Sequence, residues 1–598
     1  MPSHESPAGP GNGDVLARAF EFSGIPALAG RFVPVGKVRD LYRRVRLSSD
    51  GFRLENLLSE MRITLRADAE DVSRVPASGP VVVVANHPFG VLDGAALAAL
   101  LLRVRPDVKV MTNVLLADVP ELKPHCIFVD PFESNRSRHS NHSALREALD
   151  WLKQGSMLAV FPAGEVSHWQ FPQGEIADPK WSDIAVRLIR RTGASALPVY
   201  FCGHNSAGFQ LFGMIHPRLR TAFLLQEFLR QAGSTVEVRI GSELDAESIT
   251  AIAGDREAVE YLRWRTYLLA KRIKKETSSR AAMRPNILLR NPKNIAPPVA
   301  AELLAAEVDV LLHRRLAESG DYALYSVEAR EAPQLLQELG RLREATFRRA
   351  GEGTGRGLDL DRFDRYYWHL LLWNRAKREL VGAYRAGSTS EILPRYGVSG
   401  LYTSTLFRYD ERVFDKIGPA LELGRSFIRP EYQRQYAPLL LLWKGIARLV
   451  SMHPDLPVLF GAVSISNDYN RASREMIYRF FESQMKDDEL SGMIVPRRPF
   501  RPGRLRPWDC RAMNAALHDI EDLSQPITDV EADGKGLPIL LRQYAKIGGR
   551  LLGFNVDRKF SNVLDGLIVV DLRQTGAAVL ERYMGREGAT RFREHHQG

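Results

Sequence analysis

A histidine and an aspartate follow a short apolar run early in the chain. The run Val81–Ala85 is continuously apolar, as in strands of a parallel sheet covered on both faces, and His87 and Asp93 come directly after it. Open α/β sheets bind ligands at the carboxyl ends of their strands. A histidine there can take a proton, and a nearby carboxylate can orient the imidazole and stabilise its charged form. The pair therefore predicts acid–base chemistry at a strand end.

A second apolar run leads into a turn of similar character. Met157–Phe161 is followed by Pro162–Ser167, which contains Gly164 and Glu165. A Pro/Gly turn after a buried strand suits close approach of a ligand to the backbone. Taken singly, each fragment also fits a purely structural role.

Charged residues recur in the second half of the chain, on a framework of helix and strands that would bring them together. They are Arg343, with Phe347 one turn later on a helix predicted at Pro333–Arg349, Asp361, Asp364, Arg385, Glu422 and Arg425. Two interpretations stay open for this set. It is either a substrate site or a buried ion-pair network, in which loss of one partner destabilises by roughly 3–5 kcal/mol.

Composition limits the class of protein. The chain has 598 residues, 45% hydrophobic and 26% charged, which excludes a mainly disordered chain. Basic residues exceed acidic ones by 82 − 71 = 11, an excess that suits an anionic membrane, an acidic protein or a nucleic acid. Basic tracts lie at Arg497–Arg506 and Gln543–Lys559. Because no nucleic-acid-binding fold or basic–aromatic pattern is recognisable, nucleic acid is not expected as a partner.

Cysteine usage and hydropathy predict the compartment. Three cysteines without a CxxC pair predict neither a disulfide framework nor a zinc site, and we expect no metal and a reducing cytosol. The apolar runs are far shorter than the roughly 20 residues that span a bilayer. We therefore expect a cytoplasmic protein that meets a membrane from its surface.

The two halves differ in their order of elements. The first alternates strands and helices, which is an α/β pattern, and closes with an amphipathic basic helix at Glu257–Lys275; the second is α+β. A Pro-, Ser- and Arg-rich segment separates them. We predict a flexible tail (1–12), an α/β domain (13–275), a linker (276–298) and an α+β domain (299–598).

In this order and spacing, the boxes Asn86–Gly94 (NHPFGVLDG) and Phe161–Ser167 (FPAGEVS) resemble the glycerolipid acyltransferase superfamily. That family carries an NHxxxxD box after a strand and an FPEG box downstream. The resemblance implies that His87 deprotonates a substrate hydroxyl for attack on an acyl thioester and that Asp93 orients it. It also implies that Gly164 and Glu165 shape the acceptor or acyl-donor pocket.

This first half departs from the family pattern in its spacing and adds one basic candidate. Five residues, rather than four, separate His87 from Asp93. We expect Gly90 to let the loop bulge by one residue and keep the contact, as in the HPxGxLDG form of the hemolysin-like branch. The later box reads FPAGE, with the glutamate one place on. Arg136 is a candidate for binding a phosphate or carboxylate, with a solvated loop as the alternative.

The second half resembles acyl-homoserine-lactone synthases and ornithine lipid N-acyltransferases, GNAT-like enzymes that move an acyl group from acyl carrier protein to an amine. The matching pieces are RxxxF (Arg343–Phe347), DxxD (Asp361–Asp364), GAYR (Gly382–Arg385) and ELGR (Glu422–Arg425). An attacking amine must lose a proton, which implies Glu422 as the base, directly or through water.

The same resemblance implies the substrate contacts and the acyl donor. Asp361 and Asp364 would bind a cationic amino-acid side chain. The usual pyrophosphate signature, QxxGxG/A, is absent after Ile428. This absence favours a carrier-protein donor over coenzyme A, so no cofactor is expected.

The order of the two halves resembles the bifunctional ornithine lipid synthases over nearly the whole chain. The implied pathway N-acylates ornithine with a 3-hydroxyacyl group in the second half and O-acylates that hydroxyl in the first. The implied partners are acyl carrier protein, an anionic membrane surface at the inner face of the cell membrane, ornithine and lyso-ornithine lipid. Alternatives are glycine or lysine as head group, a phospholipid acyltransferase with a degenerate second domain, or a non-catalytic binding module.

Overall fold

The computed structural model describes residues 34–48, 53–130, 135–171, 174–215, 217–272, 292–503 and 506–597. The predicted tail and residues 276–291 of the predicted linker lie outside these ranges. The chain forms two compact units. Unit 1 comprises 1–272 and 504–518, and unit 2 comprises 273–503 and 519–598.

Unit 1 is built on a seven-stranded sheet of order β1-β9-β8-β2-β5-β3-β4. All neighbours are parallel except β8 and β9. The central strands β2 and β5 are buried throughout, as their apolar runs predict. The sheet strands and a separate hairpin (β6, β7) are β1 (Thr64–Arg66), β2 (Val81–Ala85), β3 (Val108–Asn113), β4 (Cys126–Val129), β5 (Met157–Val160), β6 (His168–Gln170), β7 (Glu175–Ala177), β8 (Ser195–Cys202) and β9 (Thr235–Ile240).

Helices connect these strands in the α/β order that the sequence predicts. Among them α4 is almost wholly apolar, and nearly all of it is buried. The helices are α1 (Val35–Arg46), α2 (Leu54–Glu60), α3 (Ala69–Val72), α4 (Val91–Leu102), α5 (Asn135–Lys153), α6 (Ile184–Thr192), α7 (Ala207–Ile215), α8 (Pro217–Arg230), α9 (Ala246–Thr250) and α10 (Asp255–Leu268).

The last helix of unit 1 differs from its prediction. A helix at Glu257–Lys275 was expected to be amphipathic, but the described helix α10 ends at Leu268 and is buried from Tyr261 to its end. The covering element is Pro507–Ala516, the return helix, which reaches α10 from far along the chain. Its Arg511 pairs with Glu260 at 2.6 Å. The sequence of α10 alone gives no sign of this cover.

Unit 2 contains an eight-stranded sheet of order β10-β11-β12-β13-β15-β16-β19-β18. All of its pairs are antiparallel except β15 and β16. The strands, with a separate β14–β17 pair, are β10 (Arg315–Ser319), β11 (Tyr322–Val327), β12 (Trp368–Asn374), β13 (Glu379–Ser388), β14 (Phe407–Tyr409), β15 (Ala420–Ile428), β16 (Val458–Ile465), β17 (Ile494–Pro496), β18 (Arg550–Asp557) and β19 (Val563–Asp571).

Helices cover this sheet, and the predicted helix at 333–349 is confirmed with a proline in its first turn. The last helix bends at Gly585, where φ is 75°. The helices are α11 (Ala301–Val310), α12 (Pro333–Arg349), α13 (Thr389–Tyr396), α14 (Arg412–Ile417), α15 (Tyr436–Met452), α16 (Arg471–Gln484), α17 (Asp488–Ser491), α18 (Ser524–Val530), α19 (Ile539–Lys546) and α20 (Ala577–Gln597).

The two central strands of unit 2 run side by side only briefly. β15 and β16 pair over three positions, the last being Glu422 with Phe460. Beyond that point β15 continues along β13 and β16 continues along β19. At the fork, a side chain on Gly461 would collide with the Leu423 carbonyl oxygen, so a glycine is required there. The facing edges of the two strands beyond the fork are unpaired with each other.

The combination of an α/β unit and an α+β unit confirms the predicted fold class. Within the described ranges, no helix has both the length and the apolar character needed to cross a bilayer. In the same ranges, no group of three or more His, Cys, Asp or Glu side chains is arranged to hold a metal ion.

Candidate active sites

His87 and Asp93 lie together at the carboxyl end of β2. The Nδ1 atom of His87 is 3.0 Å from the Oδ2 atom of Asp93, which is within ion-pair distance, although the contact does not have the angles of a hydrogen bond. Asp93 is fully buried, whereas 18% of the His87 side chain is exposed. None of the described residues hydrogen-bonds Nε2, the other ring nitrogen of His87. The imidazole is thus oriented from one side and open on the other.

Backbone donors fix the carboxylate in this pair. The amides of Phe89 and Gly90 donate to Oδ2 of Asp93 at 2.8 and 3.0 Å. Burial raises the pKa of Asp93, while the contact with His87 and these amides opposes that shift. The Asp93 carboxyl group is thus held in one place beside the imidazole.

The extra residue between His87 and Asp93 is accommodated at Gly90. This glycine has φ of 80° and precedes the first turn of α4, so that Asp93 points back toward the loop. A side chain at Gly90 would lie 3.2 Å from Leu224 and 3.4 Å from Val166. The loop therefore keeps the histidine–aspartate contact despite the five-residue spacing.

We expect Gly90→Ala to damage this loop more than an ordinary loop substitution. A left-handed backbone costs a residue with a side chain roughly 1–2 kcal/mol, and the new methyl also crowds Leu224. The expected results are a lower melting temperature and a loss of unit 1 activity. Gly174→Ala is the matched control, because Gly174 also has a positive φ but has open space around its Cβ. Equal activity losses in the two variants would contradict the role of Gly90 in orienting Asp93.

The second box reaches the same edge of the sheet, because β5 pairs in parallel with β2 up to Val84 and Val160. The ring of Phe161 lies 4.4 Å from that of His87, centroid to centroid, and the Ser167 amide donates to the His87 carbonyl at 2.8 Å. Gly164, with φ of 65°, and Glu165 lie on the exposed part of the turn. The structure thus brings the two boxes together through Phe161 and Ser167.

Asp178 is a central residue of this site that the sequence analysis missed. It is fully buried, and its carboxylate accepts hydrogen bonds from the His87 amide (3.1 Å), the Ser167 hydroxyl (2.5 Å) and the Trp181 indole (2.8 Å). Asp178 therefore ties the histidine loop to the second box. Its partners lie up to 91 residues away, so no local pattern could have identified it.

Arg136, the third candidate of unit 1, lies in the first turn of α5. Its side chain is outside the described part of the structure, so its proposed binding of a phosphate or carboxylate stays a prediction.

In unit 2 the predicted charged residues form one buried network on the sheet face covered by α12. Arg343 donates to Asp359 at 2.9 Å and to Asp364 at 2.9 and 3.2 Å. Arg385 donates to Asp364 at 3.0 Å and to Asp361 at 2.8 Å. Arg343 and Arg385 are each 1% exposed. Asp359 is a member that the sequence analysis did not include.

The network neutralises its own charge. Burial alone would raise the pKa of Asp364, but Arg343 and Arg385 outweigh it and hold that pKa well below its ordinary value. Burial lowers the pKa of the adjacent His369 to about 4, so this histidine is neutral at pH 7. Asp361 and Asp364 were predicted to bind a cationic side chain, yet their charges are already matched by arginines.

Glu422 lies beside this network and is almost completely buried. Its carboxylate accepts hydrogen bonds from the backbone amides of Tyr402 (3.0 Å) and Thr403 (2.7 Å) and from the Tyr367 hydroxyl. These bonds hold the short 3₁₀ helix Tyr402–Thr405 against β15. The geometry favours a positioning role for Glu422, and its action as a base stays a prediction.

Arg425 leaves the network toward the fork between β15 and β16. It lies in a bulge with φ of 51°, and its guanidinium packs over the rings of Phe347 (6.0 Å), Tyr402 (5.1 Å) and Phe560 (4.4 Å). Phe347 therefore packs against Arg425, and its role in substrate binding stays a prediction.

Comparisons with known proteins support acyl transfer in both parts of the chain. Residues 60–275 match a family model described as "Acyltransferase", and residues 342–444 match one described as "Acetyltransferase (GNAT) domain". These regions contain the His87–Asp93 pair and the buried charge network, respectively.

Two curated relatives carry names for two kinds of acyl transfer. The chain is 30% identical over 298 residues to a glycine N(alpha)-acyltransferase of Bacteroides thetaiotaomicron, covering 47% of this chain and 86% of that protein. It is 28% identical over 186 residues to a lyso-glycine lipid O-acyltransferase of Phocaeicola vulgatus, covering 30% of this chain and 64% of that protein.

A solved structure is also similar in part. The 1-acyl-sn-glycerophosphate acyltransferase PlsC of Thermotoga maritima aligns with a TM-score of 0.21 and 18% identity, covering 42% of this chain and 90% of that one. A similarity of this size supports no argument. On the family models and the curated relatives, the chain is an acyltransferase with an acyltransferase domain in its amino-terminal part and a GNAT domain in its carboxyl-terminal part, and it belongs to the family of the Bacteroides thetaiotaomicron glycine N(alpha)-acyltransferase.

Proposed function

We propose that the chain makes a two-tailed amino-acid lipid in two steps. Unit 2 first transfers a 3-hydroxyacyl group from a carrier-protein thioester to the α-amino group of an amino acid. Unit 1 then transfers a second acyl group to the 3-hydroxyl of that product. The observation that carries the proposal is the presence, in one chain, of an oriented strand-end histidine and a GNAT domain with forked central strands.

In the second step His87 would act as the base. Its open Nε2 takes the proton of the substrate hydroxyl while the oxygen attacks the thioester carbonyl carbon. Asp93 stabilises the imidazolium that forms, since its carboxylate is 3.0 Å from Nδ1. The proton then passes to the departing thiolate, which leaves an ester and a free thiol. Asp178 and Phe161 hold the imidazole loop in place during these transfers.

In the first step the fork of unit 2 would hold the acyl thioester. Beyond Glu422 and Phe460, β15 and β16 no longer pair with each other, so no ladder hydrogen bonds join their facing edges. Backbone amides at such an edge are suitable donors to the oxygen that becomes negative as the amine attacks. The buried network and Glu422 keep β15 and the Tyr402–Thr405 helix rigid beside this opening.

Glycine is the first candidate for the head group. The relatives are named for glycine and lyso-glycine lipid. In addition, Asp361 and Asp364, which were expected to bind a cationic side chain, are occupied by Arg385 and Arg343.

Ornithine, the head group implied by the sequence resemblance, is the second candidate. One observation favours it: several carboxyl groups cluster around Asp565 and Glu352, and such a cluster suits a substrate with a second amine. These carboxyl groups belong to Glu352, Asp468, Asp557 and Asp565.

Acyl carrier protein and an anionic membrane surface are the proposed partners. Arg497, Arg498 and Arg501 are exposed on unit 2, as a surface for acidic partners requires. Arg506 from the same tract is less accessible, because it pairs with Glu175 at 2.5 Å and packs over Tyr267. We place the enzyme in this proposal on the cytoplasmic face of the cell membrane, where a lipid-like intermediate stays close to both units.

Glu422→Ala tests whether unit 2 supplies the substrate of unit 1. Loss of its hydrogen bonds frees the Tyr402–Thr405 helix, so we expect mono-acylated and di-acylated amino acid to fall together, by about 100-fold, as expected for a misplaced substrate site. The measurement is mass spectrometry of lipid extracts from a host that expresses the chain. Glu431→Ala, an exposed neighbour that follows β15, is the control. An unchanged lipid profile in Glu422→Ala would instead indicate a phospholipid acyltransferase with a degenerate second domain.

A further inference from the structure

A group of charged residues outside the buried network lies where β15 and β16 separate. Arg425 contributes from the bulge of β15, Glu352 follows α12, and Asp565 comes from β19. Arg425 packs over Phe560, just before β19. The adjacent Ser561 donates its hydroxyl to the carbonyl of Gly351, next to Glu352. Of these three charged residues only Arg425 was expected from the sequence. Glu352 lies in a glycine-rich loop and Asp565 in an apolar strand, where a carboxyl group gives no functional signal.

Asp565 supplies a buried carboxyl group beneath an exposed position. It is 3% exposed, and it lies opposite Ser464 of β16 and Asn555 of β18, so the three share one face of the sheet. The exposed Ser464 donates its hydroxyl to Oδ1 of Asp565 at 2.7 Å. The exposed Ser464 side chain therefore links the buried Asp565 carboxyl group to the surface.

Glu352 is the second carboxyl group of this cluster, and it lies in the loop that follows α12. Its amide donates to the Phe347 carbonyl at 2.6 Å, which folds the chain back over the end of the helix. Its carboxyl group is partly buried and lies within hydrogen-bonding range of Ser466, just beyond β16. Glu352 and Asp565 thus approach the end of β16 from two different elements.

Arg425 supplies the opposite charge. Its side chain is 9% exposed, and its Nε atom is buried without a hydrogen-bond partner among the described residues. Its Nη atoms reach the buried network only at 3.4 Å from Asp359 and 3.9 Å from Asp361. A buried guanidinium N–H without a partner is costly, and a bound anion would satisfy it.

We infer that Arg425, Glu352 and Asp565 bind the amino-acid acceptor as a zwitterion, with its carboxylate on Arg425 and its ammonium on the two carboxyl groups. The inference rests on the proposed N-acyl transfer and deepens it by naming the acceptor site. An α-amino acid carries its two charges on neighbouring groups, which matches a guanidinium beside carboxyl groups. In this arrangement the thioester would lie at the fork, beside Arg425.

Asp565 also accepts the proton that the acceptor must lose. The bound ammonium transfers one proton to the Asp565 carboxylate, and the free amine attacks the thioester carbonyl. As the C–N bond forms and the C–S bond breaks, the second nitrogen proton goes to the departing thiolate. The products are an amide, a free thiol and one proton, which Asp565 releases to solvent past Ser464.

The pKa values of both carboxyl groups are raised, and the ammonium of a bound acceptor would favour their carboxylate form. Burial, together with Asp557 and Glu352, raises the pKa of Asp565 to about 8, and burial and Asp468 raise the pKa of Glu352 to about 7. Arg425 opposes both shifts, and the Ser464 and Ser466 hydroxyls each oppose one of them. A proton acceptor works best when its pKa lies near the working pH.

Glu422 is too far away to share this task by direct contact. It pairs with Phe460, whereas Asp565 pairs with Ser464, four residues further along β16. At the usual strand rise this is a distance of roughly 13 Å. Glu422 therefore positions the fork, and Asp565 meets the acceptor.

The test measures N-acyl transfer by the purified full-length chain from a 3-hydroxyacyl carrier-protein thioester to glycine, ornithine and glycinamide. Glycinamide has the amine but lacks the carboxylate. We expect Asp565→Asn to lower kcat/KM for the amino acid by about 100-fold or more. We expect Arg425→Lys to lower the preference for glycine over glycinamide by about 10-fold or more. That ratio does not depend on how much of the variant is folded.

Two controls separate the inference from the proposed function. The first control is Asp571→Asn. Asp571 lies on the same strand as Asp565, is 23% exposed and pairs with Arg573, so its substitution should leave all rates unchanged. The second control is O-acyl transfer by unit 1, which should persist in every variant. If the wild-type chain acylates an amino acid but Asp565→Asn and Arg425→Lys behave like Asp571→Asn, the acceptor site is wrong and the proposed function stands. If the wild-type chain acylates no amino acid, the proposed function itself fails.

Discussion

Replacing His87 by alanine should stop the second acylation and leave the first intact. In the proposed mechanism the imidazole takes the hydroxyl proton, and removal of a positioned base costs about 10²- to 10⁴-fold in rate. The His87 side chain is 18% exposed and packs against Phe161, so continued N-acylation by unit 2 is the check that the variant chain folds. The mono-acylated amino acid should therefore accumulate while the di-acylated lipid disappears.

Lipid extracts of a host that expresses the variant, analysed by mass spectrometry, measure this redistribution. His125→Ala is the matched control, because His125 precedes β4 and so lies toward the amino ends of the parallel strands, away from His87. The order of steps would be wrong if the variant accumulated no mono-acylated product while the wild-type chain made the di-acylated one.

The largest expected effect on stability comes from Asp364→Asn. The carboxylate of Asp364 is shared by Arg343 and Arg385, all three almost fully buried. Removing its charge leaves two buried guanidinium groups partly uncompensated. Loss of one partner of a buried network costs roughly 3–5 kcal/mol, so we expect the free energy of unfolding of unit 2 to fall by that amount.

Chemical denaturation as a function of pH measures the effect and checks its sign. Because the folded-state pKa of Asp364 is held below its ordinary value of 3.8, its contribution is present above about pH 4 and declines as the pH falls below that. The wild-type chain should therefore lose stability between pH 5 and 3 more steeply than Asp364→Asn. Asp410→Asn, at an exposed pair with Arg412, should unfold like the wild type. Equal stability of Asp364→Asn and wild type at pH 7 would contradict the network's structural role.

Local patterns predicted the elements of the fold well. Continuous apolar runs gave β2 and β5, and the helix at 333–349 begins and ends as expected. The histidine–aspartate pair was also predictable, because both residues lie on one loop and the glycine between them signals its special backbone. Such features depend on residues that are near each other in the sequence.

The missed features depend on distant partners. Asp178 meets His87 from 91 residues away, and the return helix covers α10 from across more than 200 residues of unit 2. Asp565 looks like an ordinary polar position in the strand VLDGLIVVD until Ser464 and Arg425 are placed beside it. The ion pairs of Asp361 and Asp364 with arginines were one of two interpretations that the sequence left open, and only the distances in the structure decide between them.

The proposed two-step acylation of an amino acid can be reconstituted from purified components. Purified full-length chain would be incubated with 3-hydroxyacyl and acyl carrier-protein thioesters and isotope-labelled glycine, ornithine or lysine, and the products followed over time by mass spectrometry. If acylation proceeds in the proposed two steps, label appears first in an N-acyl amino acid and then in its O-acylated form. Labelled product with none of the three amino acids would contradict the two-step proposal.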